Sequence, residues 1–150
     1  MKALLQRVAA ASVVVEEKVI AEVGNGLLVF LCIEKGDTRE DLDYLAEKIR
    51  NLRIFEDEAG KMNLSVIDVA GDALVVSQFT LAADCRKGNR PSFDEAEGPV
   101  KAEEMYREMV RKLSGEGIGV SEGRFGALMK IHLINDGPVT ILLDSRKGRT

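Results

Sequence analysis

The chain has 150 residues, and its 21 Lys and Arg residues against 25 Asp and Glu residues give a formal net charge of −4. Its length favours one domain over residues 1–150, and its 45% apolar and 31% charged residues are ordinary for a globular protein, which excludes a disordered, collagen-like or low-complexity chain. The acidic balance argues against nonspecific DNA binding, because that binding depends on a basic protein face.

The first third of the chain is typical of an antiparallel meander. Four apolar runs predict strands, at residues 4–8, 13–15, 19–23 and 27–33. Turn-forming residues follow the second run at positions 16–18 and the third at positions 24–26. The last run has no alternating polar residues, which indicates a strand covered on both faces, so we expect residues 27–33 to be central in the sheet.

Two amphipathic helices are predicted further along the chain. Thr38 is suited to cap the first, in which apolar residues repeat at helical spacing from Leu42 to Leu52. Pro99 is suited to the first turn of the second, whose apolar stripe continues to Leu113. We expect the glycines at positions 115, 117 and 119 to form a helix end and a turn. They do not fit a phosphate-binding loop, because such a loop follows a strand and opens a helix.

The remaining apolar runs predict three more strands, at residues 73–81, 127–134 and 139–143. Residues 135–138 are typical of a hairpin turn, because Asn and Gly tolerate a positive φ. Pro138 is unusual at the start of a strand, since proline removes a hydrogen-bond donor from the sheet, and the bond before it is a candidate for the cis form. We therefore predict a mixed α/β fold of the α+β type, with a mostly antiparallel sheet and two main helices.

Few residues are suited to metal or cofactor chemistry. The single histidine, His132, alternates with apolar residues, so we expect it on the less buried face of a strand. Cys32 lies inside an apolar run, where a thiol behaves as a small hydrophobic group. Because the paired Cys or His spacing of zinc sites does not occur, we predict no metal and no cofactor. No apolar run approaches the ~20 residues of a membrane span and the start does not resemble a signal peptide, so we predict a cytoplasmic protein without a membrane partner.

The end of the predicted strand at residues 73–81 is a candidate catalytic segment. Ser77, Gln78, Phe79 and Thr80 either bond neighbouring strands or present N–H groups and hydroxyls at a rim, where they would suit an oxyanion. Thr80 is a poor nucleophile without a base, and the nearby sequence offers Asp84 but no histidine.

The segment that follows is locally basic. Cys85 precedes Arg86 and Lys87, which makes it a candidate for a thiol with a lowered pKa. Together with Arg90, these cations would meet either a phosphate group or solvent.

Four segments, in this order along the chain, resemble the D-aminoacyl-tRNA deacylases. They are residues 77–81 (Ser-Gln-Phe-Thr-Leu), 88–93 (Gly-Asn-Arg-Pro-Ser-Phe), 123–127 (Gly-Arg-Phe-Gly-Ala) and 135–140 (Asn-Asp-Gly-Pro-Val-Thr). The resemblance covers nearly the whole chain, including residues 6–8 and 52–55. It implies a translation-proofreading hydrolase that cleaves the ester between a D-amino acid and the terminal adenosine of tRNA. It also implies a homodimer whose sheet curls toward a small barrel, with the pocket at the subunit interface.

The resemblance assigns roles to individual residues. The catalytic side would be lined by Ser77, Gln78, Phe79 and Thr80, with N–H groups around the last two facing the oxyanion. The partner subunit would contribute its Gly137 and Pro138, joined by a cis bond, whose carbonyl oxygens hold the substrate amino group and exclude an L side chain. Glycine would pass this filter, so glycyl-tRNA mischarged on tRNA-Ala is an expected substrate. Substrate binding and chiral selection would also involve Arg7 and Met129.

The expected tRNA contact is limited to the 3′ acceptor end, with phosphate contacts from Arg86, Lys87 and Arg90. Two mechanisms stay open: the ribose 2′-hydroxyl assists hydrolysis while Thr80 positions the ester, or Thr80 is the nucleophile. Two other functions also stay open, a noncatalytic dimeric binding module and a thiol hydrolase that uses Cys85, alone or with His132. The chain departs from the family at Ala82, where an aromatic residue is often found, so either a stacking wall for the adenine at the pocket rim or a packing ring is missing.

Overall fold

A long first strand organises the sheet. In the computed structural model, which describes residues 1–148, β1 spans Lys2–Val15. It pairs antiparallel with β2 (Lys18–Val23) along its second half and with β3 (Gly26–Cys32) along its first half. The strands predicted at residues 4–8 and 13–15 are therefore a single strand. The prediction broke β1 at residues 9–12, where small residues give no strong strand signal.

The predicted meander is wrong, because residues 24–26 bend the chain without reversing it. Since β2 and β3 are both antiparallel to β1, they run in the same direction along one edge of it. A glycine is required at position 26, where an added Cβ would overlap the backbone carbonyl oxygen of Asp72. This close approach lets β3 pair with β6 (Asp72–Ser77) from the first residue of each strand.

The predicted central position of β3 is confirmed. It is buried along almost its whole length and lies between β1 and β6. The pairs β3·β6 and β6·β7 (Gly119–Glu122) are parallel, so the sheet is mixed, with three antiparallel strand pairs formed by β1. Because β2 also contacts β6 and β7, the sheet is curled and nearly closed, as predicted.

Both predicted helices are confirmed. Helix α1 (Arg39–Asn51) begins after Thr38, whose backbone N–H donates to the Asp41 carboxylate at 2.9 Å in a capping box. Helix α2 (Pro99–Gly115) begins with its proline, and Gly117 in the turn that follows has φ +86°. A short helix, α3 (Ser145–Gly148), ends the described chain, and β4 (Phe55–Glu56) pairs with β5 (Met62–Leu64) in a separate hairpin. None of the helices in residues 1–148 has the length and hydrophobicity needed to span a membrane.

Residues 135–138 do not form the predicted hairpin turn. They belong to one long strand, β8 (Lys130–Asp144), both halves of which pair antiparallel with β1. Asn135 stands opposite Val8 and Thr140 stands opposite Gln6, so residues 136–139 bulge out of the sheet. The residue types that favour a hairpin turn also suit such a bulge, and the length of β1 decides between them.

Candidate active site

A cavity of about 510 Å³ lies at the end of β6. Its walls are largely apolar and come from β3, β6, the start of α2 and residues 125–129. Polar side chains line it at only three positions, Ser77, Gln78 and Glu97. A concave, apolar cavity of this size with a few polar groups is typical of a site for a small molecule or for one end of a larger ligand.

The chain leaves the sheet beside this cavity and forms a 3₁₀ turn over Phe79–Ala82. The last sheet bond is donated by the Gln78 N–H to the Leu31 carbonyl oxygen at 2.8 Å, so the predicted strand at residues 73–81 ends earlier than expected. The first N–H groups of such a turn have no acceptor within it. Among residues 1–148 no hydrogen-bond acceptor is found for the N–H groups of Phe79 and Thr80. Phe79 lines the cavity and Thr80 follows it just outside the lining, so two adjacent free N–H groups lie at this edge, where they are suited to stabilise a developing negative charge.

The Thr80 hydroxyl is oriented by its neighbour but has no base beside it. Its oxygen accepts a hydrogen bond from Gln78 Nε2 at 2.5 Å, which leaves the hydroxyl proton available to donate. Asp84 is a poor base, because its hydrogen bonds with Arg86 lower the pKa of the carboxyl to about 2. The Gly98 N–H and Lys101 likewise lower the pKa of Glu97, the one carboxylate that lines the cavity.

One wall of the cavity is fixed from the core. The buried Tyr106 hydroxyl donates to the Val75 carbonyl oxygen at 2.8 Å, and its ring lies 5.8 Å from that of Phe125. Burial raises the pKa of Tyr106, so this donor keeps its proton. Met129 lines the same wall and packs on Gly123, where an added Cβ would come within 2.8 Å of the Met129 sulfur.

The rim of the cavity is apolar and exposed. The Phe79 side chain is 56% exposed and packs edge-on against Phe93, with ring centroids 5.2 Å apart. Leu128 is 93% exposed. Ala82, the last residue of the 3₁₀ turn, is in contrast buried and does not line the cavity, which favours a missing packing ring over a missing stacking wall. Exposed apolar groups around a cavity are typical of a surface that another molecule covers.

Sequence reasoning missed the wall that leads into α2. This wall comprises Ala96, Glu97, Pro99 and Ala102. It is held against β3 by a bridge between Glu34 and Ala96 and by the Glu97 N–H, which donates to the Ile33 carbonyl oxygen at 3.0 Å. These are long-range contacts for which the sequence contains no local signal. The opposite wall was indicated only by the family resemblance, through the segment at 123–127, which contains Phe125, and through Met129.

The bulge at residues 136–139 holds the second group of predicted site residues. The Gly137–Pro138 peptide bond is cis, both residues are exposed, and Gly137 has φ +146°. Inside the bulge, Asn135 Oδ1 accepts from the Val139 N–H at 2.8 Å. None of Arg7, Gly137 and Pro138 lines the cavity, so a single chain does not bring them together with residues 77–80.

Arg7 fastens this bulge to the rest of the fold. Its guanidinium is 7% exposed, and it donates from Nε to the Asp136 carbonyl oxygen at 2.7 Å and from Nη1 to the Ile54 carbonyl oxygen at 2.8 Å. Glu56 lies 3.9 Å away and adds an ion pair. A buried guanidinium that bonds two carbonyl groups restricts the path of the backbone on both sides.

We expect Arg7→Met to lower the free energy of unfolding by about 2 to 4 kcal/mol, because the buried Ile54 carbonyl group and the part-buried Asp136 carbonyl group lose a charged donor. Urea unfolding of the purified variant measures this loss of stability. Lys18→Met, which removes an exposed cation from the β1–β2 turn region, is the matched control and should leave the free energy of unfolding unchanged. Unchanged stability in Arg7→Met would contradict this role.

The basic residues after the 3₁₀ turn form a separate shallow depression with Asp84, Ser92 and Asp94. Arg86 is paired with Asp84 at 2.6 Å. Within the described residues no acidic group lies within ion-pair distance of Lys87 or Arg90, so these two cations are available to a ligand.

The two groups of the thiol alternative lie in different places. Cys85 is exposed in this basic loop, whereas His132 lies in a groove between β1, β2 and β8. The structure therefore gives no sign of a Cys–His pair.

Comparisons with known proteins agree with the resemblance. The family model described as D-Tyr-tRNA(Tyr) deacylase matches residues 4–144. A protein of Thermotoga petrophila named D-aminoacyl-tRNA deacylase is 56% identical over 98% of this chain and 99% of its own length. A protein of the same name from Thermodesulfovibrio yellowstonii is 56% identical over 97% of this chain and 100% of its own length.

Two solved structures share the fold. One, described as the c-Myc DNA Unwinding Element Binding Protein, has a TM-score of 0.92 and 44% identity and covers 96% of this chain and 98% of its own. The other, a probable eukaryotic D-amino acid tRNA deacylase, has a TM-score of 0.82 at 17% identity and covers 95% of this chain and 97% of its own. Given the family match and relatives that are more than half identical over nearly their whole length, this chain belongs to the D-aminoacyl-tRNA deacylase family of hydrolases.

Proposed function

We propose that the protein edits tRNA by hydrolysing the ester between a D-amino acid and the terminal adenosine, at the rim formed by residues 77–80. The observation that supports this proposal is the pair of free N–H groups of Phe79 and Thr80, beside an apolar cavity with no effective protein base. Such a site stabilises an oxyanion without supplying a nucleophile. It therefore suits a substrate that carries its own proton-transferring group.

The ribose of the terminal adenosine has that group next to the ester. When water adds to the ester carbonyl, the Phe79 and Thr80 N–H groups donate to the oxygen that becomes negative. The 2′-hydroxyl accepts a proton from the attacking water and passes its own proton to the 3′-oxygen as the carbon–oxygen bond breaks. The products are a free D-amino acid and a tRNA with a free 3′-hydroxyl. In this mechanism Thr80 positions the ester and forms no acyl-enzyme.

The cavity is completed by a second copy of the chain. Among residues 1–148, β8 pairs only with β1, so its other edge is open, and Ile134 and Leu142 on it are 62% and 56% exposed. An open strand edge with exposed apolar side chains is typically covered in a native protein. Together with the apolar rim at Phe79 and Leu128, this supports a homodimer in which the bulge of one copy enters the cavity of the other.

Chiral selection follows from the backbone of the bulge. The carbonyl oxygens of Gly137 and Pro138 would accept hydrogen bonds from the substrate α-ammonium and fill the space that an L side chain needs. A D side chain points away from them, so many D-amino acids are accepted. Glycine has no side chain to reject, and glycyl-tRNA mischarged on tRNA-Ala is therefore also a substrate.

The tRNA contact is confined to the 3′ acceptor end. Lys87 and Arg90 lie in the loop directly after the 3₁₀ turn and, with Arg86, are suited to phosphate groups of the acceptor strand. The net charge of −4 gives no broad basic face for duplex DNA. We place the activity in the cytoplasm, where aminoacyl-tRNA is used, without a membrane partner.

Substitutions at Thr80 and Cys85 distinguish the mechanisms. We expect Thr80→Ala to lower kcat on D-tyrosyl-tRNA about tenfold, because a positioning hydroxyl is lost while the backbone N–H stays. Thr80→Ser should keep most of the wild-type kcat, because it keeps the hydroxyl. Cys85→Ala should keep full activity. A loss of about 10⁴-fold in Thr80→Ala would identify a nucleophile instead. Inactive Cys85→Ala would favour the thiol hydrolase, and wild-type protein that releases no D-tyrosine would favour a noncatalytic binding module.

A further inference from the structure

Two side chains hold the 3₁₀ turn from behind. Lys2 on β1 and Cys32 on β3 stand directly opposite each other in the sheet. Lys2 Nζ donates to the Leu81 carbonyl oxygen at 3.3 Å. The single proton of the Cys32 thiol has two carbonyl acceptors in reach, and that of Phe79, 3.6 Å from Sγ, is nearer than that of Ile33 at 3.8 Å. One pair of cross-strand neighbours thus fixes two carbonyl groups of the four-residue turn.

Fixing these carbonyl groups also fixes the direction of the N–H groups. In a trans peptide the carbonyl oxygen and the following N–H point in opposite directions. Because Cys32 holds the Phe79 carbonyl toward the sheet, the Thr80 N–H points away from the sheet. In the same way Lys2 sets the orientation of the peptide that joins Leu81 to Ala82.

Both donors are themselves held in place. Cys32 is buried, and burial raises the pKa of its thiol to about 11, so the thiol stays protonated at neutral pH. Lys2 Nζ also pairs at 3.0 Å with Glu34, a buried carboxylate whose other oxygen lies 3.5 Å from the Met1 ammonium. Lys2 is therefore anchored between a buried acid and the turn.

We propose that Lys2 and Cys32 are positioning residues for deacylation: Cys32 keeps the Thr80 N–H aimed at the ester, and Lys2 holds the far end of the same 3₁₀ turn in place. Neither residue lines the cavity, and both reach the site through carbonyl groups of the turn. This inference rests on the proposed function of residues 77–80 and extends the machinery to two residues on the far side of the turn. It predicts an effect on the chemical step and none on substrate binding.

The test compares donor-removing with donor-keeping variants. Lys2→Met and Cys32→Ala remove the donors, whereas Lys2→Arg and Cys32→Ser keep them. We expect each donor-removing variant to lower kcat on D-tyrosyl-tRNA about five- to tenfold with KM unchanged, and each donor-keeping variant to recover most of that loss. Val13→Ala is the matched control, because Val13 is buried in the second half of β1 and outside the cavity lining.

Each outcome decides one question. Wild-type protein that releases no D-tyrosine would overturn the proposed function. The present inference is tested separately, by comparing kcat among variants that are active and by measuring amide hydrogen exchange, which does not depend on activity. We expect the hydrogen-bonded amides of the 3₁₀ turn, those of Leu81 and Ala83, to exchange faster in both donor-removing variants than in Val13→Ala. A wild-type kcat in both of them, or no recovery in Lys2→Arg and Cys32→Ser, would overturn the inference. If Cys32→Ala does not fold, Lys2→Met decides alone, because its side chain is partly exposed.

Discussion

We expect D-tyrosyl-tRNA to be hydrolysed at least about a hundredfold more slowly when its terminal ribose carries hydrogen instead of the 2′-hydroxyl. This factor is what a positioned proton-transferring group typically contributes to a rate. The reason lies in what surrounds the 3₁₀ turn. Asp84 has a pKa of about 2 and the pKa of Glu97 is lowered, so neither carboxylate takes a proton readily at neutral pH. In the proposed mechanism the substrate hydroxyl would therefore move the proton.

Competition with the normal substrate provides the control for this experiment. The deoxy substrate should still bind, because the cavity and the two N–H groups contact other parts of the aminoacyl end. It should therefore inhibit hydrolysis of the normal D-tyrosyl-tRNA at concentrations near KM. Full-rate hydrolysis of the deoxy substrate would show that the protein supplies the proton transfer itself, and Thr80 would again be the candidate nucleophile.

Gly137→Ala is expected to lower deacylation about a hundredfold and the free energy of unfolding by about 1 to 3 kcal/mol. A Cβ added at Gly137 would lie 2.8 Å from the Val139 side chain and 3.0 Å from Arg7 Nη2. Gly137 also has φ +146°, a backbone conformation that residues with an L side chain rarely adopt. The carbonyl groups of the bulge would therefore move. Gly36→Ala is the matched control, because Gly36 also has a positive φ but open space around it, and it should keep its activity.

Mixing two inactive variants tests whether the bulge acts across subunits. One variant is Gly137→Ala, and the other is Ala127→Phe, which fills the cavity. Randomly mixed dimers should regain about a quarter of the wild-type activity, since half of the dimers would be mixed and each would contain one intact cavity facing one intact bulge. If each chain uses its own bulge, mixing restores nothing.

The local parts of the fold could be predicted from the sequence. Helix α1 follows from Thr38 and the spacing of Leu42, Leu45 and Ile49, and helix α2 follows from Pro99 and its apolar stripe. The central strand β3 follows from an apolar run without polar alternation. In each case the sequence pattern lies within a single helix or strand, so it can be recognised without knowing which residues elsewhere in the chain pack against it.

Strand pairing could not be predicted in the same way. Residues 135–138 have the composition of a hairpin turn, and only the length of β1, which pairs with both halves of β8, makes them a bulge. Residues 24–26 have the composition of a reversal, but both β2 and β3 pair with β1. In both places the local residue types are compatible with two strand topologies, and contacts with residues far along the chain determine which one forms.

The candidate site likewise has one part that the sequence predicts and another that it does not. Residues 77–80 can be located from a short sequence motif, which contains both residues with free N–H groups. The motif does not predict that Phe79 and Thr80 begin a 3₁₀ turn. The wall at residues 96–102 and the support from Lys2 and Cys32 have no motif, because the Glu34–Ala96 bridge and the β1·β3 register bring them into place. Only the folded chain reveals such groups.

The most direct test of the account compares the rates at which the purified protein releases amino acid from matched D-tyrosyl-tRNA and L-tyrosyl-tRNA. We predict that the D ester is hydrolysed at least about a thousandfold faster, because in the proposed dimer the backbone of the partner's bulge would occupy the space of an L side chain. Equal rates for the two esters would contradict selection by exclusion at Gly137 and Pro138.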